Sequence, residues 1–344
     1  MGKTLIVSTD GQAVMRSHDN GKSWYRINIG QDLEYDDRVR CLVVDPRNPD
    51  GVFAGAEKGL FYSADCGVHW RRIDCALNGL AVWKLVVSDS DPLVMYAGTG
   101  APSLAIFFRS RDGGQTWERT SLEMPEFCAG VNRPRMLALA VDPRDADDVW
   151  AGIEEGGLYR SRDGGDSWTR IDTTWSDFGG NSDLHDIMVL PQDDGSTVHL
   201  ALTVIALYRS TDGGQTWTRQ PAKETWGLRY SRVLLRRPGS NRQLAVGIGD
   251  GTPGTTAAIL LSDDAGETWT RAALDHPSNS CLWAFGSHPS DPDFQLAASK
   301  FGYLYRSVDG GRTWAKEWRE FNEITGLAWL PSVPSDLGLP HVTH

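Results

Sequence analysis

Five cationic side chains, Arg38, Arg40, Lys84, Arg135 and Arg232, stand at the start of short apolar stretches spread through this 344-residue chain. Seven such lead-in segments can be aligned: Arg38-Val39-Arg40, Val82-Trp83-Lys84, Arg133-Pro134-Arg135, Asp183-Leu184-His185, Tyr230-Ser231-Arg232, Cys281-Leu282-Trp283 and Glu323-Ile324-Thr325. Alternate residues of a strand share a face. The first and third residues are therefore expected to look the same way, placing Arg38, Arg40, Lys84, Arg135, Asp183, His185, Tyr230, Arg232, Trp283 and Glu323 on one wall. Guanidinium forks match carboxylates and phosphates bidentately, so converging arginines orient an acid group well. A histidine transfers protons near neutral pH, and Tyr230, Asp183 and Glu323 are its candidate partners. This set suits a hydrolase, or a β-eliminating lyase or hydratase, acting on a small anionic or sugar-acid-like substrate. Arginines would also stabilise an enolate-like intermediate.

The elements that must carry these residues repeat. An eight-residue pattern, Ser-x-Asp-x-Gly-x-(Thr/Ser/His)-Trp, occurs at 17–24, 63–70, 110–117, 161–168, 210–217, 262–269 and 307–314. Half of the 14 tryptophans close one of these boxes. Before each box comes an apolar, aromatic-containing stretch such as "GLFYS" (59–63), preceded by a small-residue strand such as "GVFAG" (51–55). Earlier still lies an apolar strand ending in a turn, as in "CLVVDP" (41–46), and after the box comes "WYRI", "WRRI" or "WTRI". Four short strands per unit of about fifty residues predict an all-β fold, a seven-bladed β-propeller, as one domain over 1–344. The first unit lacks an innermost strand, and "ITGLAWLP" (324–331) matches that missing strand. The C-terminal strand is thus expected to complete the N-terminal blade and close the ring.

The box resembles the Asp-box, or BNR repeat, of sialidase-like propellers, sortilin-type receptors, xyloglucanases and photosystem assembly factors. The resemblance implies that the box is the hairpin between the third and fourth strands of a blade, on the rim opposite the ligand face. An Asp that accepts hydrogen bonds from turn amides, a Gly at positive φ and a Trp covering the hairpin fit a structural role. Similarity to sialidases extends to residue types, an arginine cluster with Tyr, Glu and Asp. It stops at six blades against seven and at an absent Arg-Ile-Pro motif, so that activity is not carried over. Propeller lyases of uronic-acid sugars are similar only in fold and in residue types.

Acidic residues outnumber basic ones 45 to 34, a net charge of −11. That disfavours nucleic acid, whose binding needs surplus Lys and Arg. No apolar run reaches membrane-spanning length. Five scattered cysteines without metal-ligand spacing, and an N-terminal "MGKTLIVSTDGQ" too short in apolar residues for a signal peptide, predict a cytoplasmic setting with no metal and no cofactor. Trp83, Trp283, Trp175, Phe178, Trp226, Phe127 and Phe301 are expected above the ligand face, as lids or as wedges between blades. His276 is a secondary candidate near the rim. Two alternatives stay open: the cations form an internally salt-bridged, wet channel, or the rim docks a protein and the molecule is a non-catalytic binding module.

Overall fold

The computed structural model describes residues 2–128, 130–173, 175 and 183–334. The strands form seven antiparallel sheets, each of four strands, with one short extra strand on the last. Their innermost strands are Ile324–Leu330, Val39–Val44, Ala81–Val87, Met136–Asp142, Leu184–Pro191, Tyr230–Arg236 and Leu282–Ser287, for blades one to seven. Each packs on the next, and Leu282–Ser287 packs on Ile324–Leu330, so the ring closes as expected. Blade one is built from both ends of the chain, with Thr4 opposite Leu330, Ile6 opposite Ala328 and Ser8 opposite Gly326. The outermost strands are shorter than the sequence suggests. Tyr25–Arg26, Arg71–Arg72 and Glu118–Arg119 hold two residues each. With one neighbour and mostly exposed side chains, little holds them in register. Blade seven differs, its outer strand running over Thr313–Glu320 and pairing in parallel with Ala273–Leu274. The one short helix among the described residues, Ala222–Trp226, buries Ala222 and Trp226.

All seven boxes fold alike. The serine hydroxyl donates to the aspartate Oδ1 at 2.7–2.8 Å, and accepts from the amide of the fifth residue. The same Oδ1 accepts from the amide of the seventh residue at 2.9–3.0 Å. The fourth and fifth residues both sit at positive φ, so Asn20, Cys66 and Ala265 occupy a left-handed conformation that suits glycine. In six boxes the tryptophan Nε1 donates to the fifth-residue carbonyl, whereas Trp269 turns to Gln220 Oε1.

Boxes are also stapled blade to blade. The arginine preceding a box donates to the fourth-residue carbonyl of the next: Arg109 to Gly164, Arg160 to Gly213, Arg209 to Ala265 and Arg306 to Asn20. In blade two, where Tyr62 precedes the box, Arg47 reaches the Gly113 carbonyl instead. The Arg306 staple spans the seam between the last blade and the first.

The box aspartates carry a pH dependence. Hydrogen bonds from Ser167 and Ser161 lower the Asp163 carboxyl to about 2, and those from Thr216 and Ser210 do the same for Asp212. A folded pKa below the unfolded value of about 3.9 contributes stability that is present above that value and lost as pH falls through the folded one. Burial also holds the His18 and His199 imidazoles down at about 4. The urea midpoint is therefore expected to fall as pH drops below about 6.5 and, through the box aspartates, to fall further between pH 4 and 2. A midpoint unchanged down to pH 2 would overturn this.

Candidate functional site

Strand register builds the site. Every innermost strand carries a β-bulge near its start, between Val39 and Cys41, Val82 and Lys84, Met136 and Ala138, Leu184 and Asp186, Ser231 and Val233, and Leu282 and Ala284. In blade one, Ser8 and Thr9 pair with Gly326 and Ile324, leaving Thr325 as the extra residue. An extra residue kinks the strand and re-aims a side chain. The seven bulged residues, Arg40, Trp83, Leu137, His185, Arg232, Trp283 and Thr325, all line one cavity of about 660 Å³ at the ligand-face end of the ring.

This corrects the expected alignment in two blades, where the equivalent positions are Trp83 and Leu137 rather than Lys84 and Arg135. The alignment runs one residue late in blade three and two early in blade four, because where the bulge falls is set by pairing with the neighbouring strand. Lys84 and Arg135 still reach the cavity, together with Arg38 and Glu323. Tyr230 and Asp183 are not among its lining residues. The Tyr230 ring is buried against His185, with centroids 5.5 Å apart, and burial raises its pKa. Asp183 Oδ1 lies 3.5 Å from His185 Nε2. Burial alone would raise the Asp183 pKa, but His185, Arg232 and Arg135 bring it below the ordinary value. His185 Nδ1 lies 2.7 Å from the Ser231 carbonyl, which can only accept. That nitrogen therefore carries a proton, and Nε2 is the one that faces Asp183.

The cations are mostly paired already. Arg38 and Arg40 each lie 3.0 Å from Asp10, and Arg40 also pairs with Glu57. Arg135 pairs with Glu154, Lys300 with Glu323 at 3.0 Å, and Lys84 with Asp186 at 3.0 Å. Among the described residues, Arg232 is the one lining guanidinium or ammonium group with no carboxylate within 4 Å. It packs 4.0 Å from the centre of the Trp283 ring, where Lys300 also sits at 4.1 Å. Trp83 likewise has Arg40 at 4.6 Å and Arg135 at 4.9 Å. Both indoles thus orient the protein's own cations.

The compensating carboxylates were missed in the sequence, though a signal existed. Asp10, Glu57 and Glu154 each directly follow a second strand at its turn. Their amides donate to the carbonyls of Glu323, Arg38 and Arg135. The turn thereby brings each carboxylate beside a lead-in segment. Lys300 occupies the same place in blade seven.

Two ion pairs cross the channel, the first within the cavity's lining and the second outside it. Lys84 in blade three meets Asp186 in blade five, and Arg236 in blade six meets Asp89 in blade three at 2.5 Å. Asp186 also accepts from the Leu234 and Ile187 amides, tying three blades together.

The expected aromatic ceiling is only partly present. Trp83 and Trp283 line the cavity, but Trp175 stacks on Tyr208 between blades and Trp226 is buried near Trp269. Phe127 and Phe301 are exposed. His276 is exposed beside Tyr303 and does not line the cavity. Phe178 lies outside the described residues.

The BNR/Asp-box repeat family matches residues 108–119 and 208–219. The xyloglucanase of Hypocrea jecorina is 26% identical over 341 residues, covering 86% of this chain and 40% of that protein. The chain thus spans well under half the length of this relative. Among solved structures, the GH74 enzyme of Niastella koreensis superposes with a TM-score of 0.64 at 20% identity, over 81% of this chain and 45% of that one. YCF48 from Cyanidioschyzon merolae gives 0.55 at 16% identity, over 86% and 88%. These structural likenesses speak for the fold. With seven boxes, seven blades and the ring closed by its C-terminal strand, the chain is a seven-bladed β-propeller that carries BNR/Asp-box repeats.

Proposed function

We propose that this propeller is a carbohydrate-active hydrolase whose central cavity takes a saccharide bearing an acid group, held by Arg232. The observation that carries the reading is the pairing of the wall: five lining cations are neutralised within it, and Arg232 lines the cavity without a carboxylate partner among the described residues. A ligand carboxylate would complete its fork, and Lys300 stands on the same indole to assist. Similarity to a xyloglucanase over most of the chain supports the hydrolase class. His185 Nε2 and the Glu323 carboxylate are the proton-handling groups on the wall. Tyr230 and Asp183 act from behind it, by packing on the imidazole and by facing its Nε2. Arg38, Arg40 and Arg135, each committed to carboxylates, shape the cavity rather than grip the acid group.

The test compares uronic-acid oligosaccharides with neutral xyloglucan oligosaccharides by calorimetry and product analysis. Acidic ligands are expected to bind wild type and to weaken by about 10–100-fold with Arg232→Ala, the loss of one charge-assisted contact. Products should contain one added water per cleaved bond, whereas an unsaturated, ultraviolet-absorbing product would mean elimination and overturn the hydrolase assignment. Equal affinity for neutral and acidic ligands, unaffected by Arg232→Ala, would overturn the acid-group assignment. Binding without turnover would make the protein a saccharide-binding module.

A further inference from the structure

At the seam between blades six and seven no arginine precedes the box, and a cavity lies there. Leu261, not arginine, precedes the sixth box. Leu261, Ser262 and Gly310, the fourth residue of the seventh box, line a cavity of about 190 Å³. It lies on the box rim, the opposite end of the molecule from the central site, and it owes nothing to the reading above.

Three guanidinium-bearing residues line this cavity: Arg237, Arg271 and Arg312. Arg237 donates to Gln243 Oε1 and Asp293 Oδ1, both at 2.6 Å, yet its Nε is buried without a partner. Arg271 and Arg312 are exposed and have no carboxylate within 4 Å among the described residues; Arg312 Nη1 donates only to the Asp309 carbonyl at 3.2 Å. The carboxylate nearest to hand, Asp263, accepts from Gln243 Nε2. Arg271 and Arg312 have no counter-charge among the described residues, and Arg237, though paired with Asp293, keeps a buried Nε donor unsatisfied; together they call for an anion. One further group narrows the class. Gln295, almost fully buried, donates through Nε2 to the Pro292 carbonyl at 3.2 Å and leaves its Oε1 acceptor buried and unpartnered. A buried orphan acceptor is costly unless something donates to it.

The geometry points to an oxyanion site between blades six and seven that takes inorganic phosphate. Phosphate offers oxygens to Arg237 Nε, Arg271 and Arg312, and at neutral pH it retains a P–OH that can donate to Gln295 Oε1. Sulfate is similar in size and charge but has no proton to donate. A ligand there also occupies the place of the absent staple.

Calorimetric titration of inorganic phosphate and of sulfate in phosphate-free buffer tests this, using wild type, Arg271→Ala/Arg312→Ala and Arg232→Ala. The two exposed arginines make no ion pairs, so their removal is expected to leave the melting transition in phosphate-free buffer unchanged. Phosphate should bind wild type and Arg232→Ala equally at one saturable site, and at least about tenfold more weakly in the double variant. Sulfate should be at least about tenfold weaker than phosphate. Absence of saturable phosphate binding, survival of binding in the double variant, or its loss in Arg232→Ala would overturn the site. Sulfate binding as tightly as phosphate would overturn the assignment to phosphate and the role given to Gln295.

Discussion

A chain ending at Glu323 is expected to show no cooperative unfolding transition, although it retains all seven boxes. The deleted strand, Ile324–Leu330, buries Ile324, Leu327, Trp329 and Leu330 almost completely. Each large apolar side chain contributes about 1.5–3 kcal/mol on burial. Their sum is comparable to the net stability of a whole domain, about 5–15 kcal/mol. Deletion also exposes the ladder edge of Thr4–Thr9, whose residues are all buried, and leaves Leu282–Ser287 facing a gap. Ring closure would then rest on side-chain contacts, such as Arg306 donating to Asn20, Trp318 donating to Gly21 and Lys3 pairing with Asp291. Far-UV circular dichroism during heating gives the answer, and a synthetic peptide spanning residues 321–334 should restore a transition in trans. A truncated protein melting within a few degrees of full length would refute the closure argument.

Asp186→Ala is expected to cost about 3–5 kcal/mol, as for breaking a buried ion pair by removing one partner. The Asp186 side chain is only 7% exposed. It accepts from Lys84 across the channel, from the Leu234 amide and from its neighbour Ile187. Alanine would strand an ammonium group above the channel and leave two amides without their carboxylate. Asp186→Asn keeps an oxygen for an amide while losing the charge, so it should fall between alanine and wild type. Chemical denaturation of the three forms, at pH 7, measures both differences. If alanine and asparagine each lie within 0.5 kcal/mol of wild type, on the order of a neutral surface change, the cross-channel strut is not structural.

The same residues separate what can be read along the chain from what cannot. Box spacing, the strand pattern between boxes and the unpaired "ITGLAWLP" are local or periodic signals, and they specify the blade count and ring closure without any coordinates. Residue types on the channel wall were legible too, since His185, Arg232, Arg40 and Trp283 do line the cavity. The slip at Trp83 and Leu137 has a definite cause. A bulge is a relation between two strands, two residues facing one, and neither strand alone records it. Charge balance was hidden for a related reason. The net charge of the wall depends on Asp10, Glu57, Glu154 and Asp186, which lie between 17 and 102 residues from the cations they neutralise. That Arg232 has no carboxylate partner among the described residues is therefore a property of the folded ring. Composition and spacing determined that cations would gather at the centre of this propeller. Only the packing of seven blades around one axis decided which of them would line the cavity without such a partner, because Coulomb attraction acts over ångströms in space and not over positions in sequence.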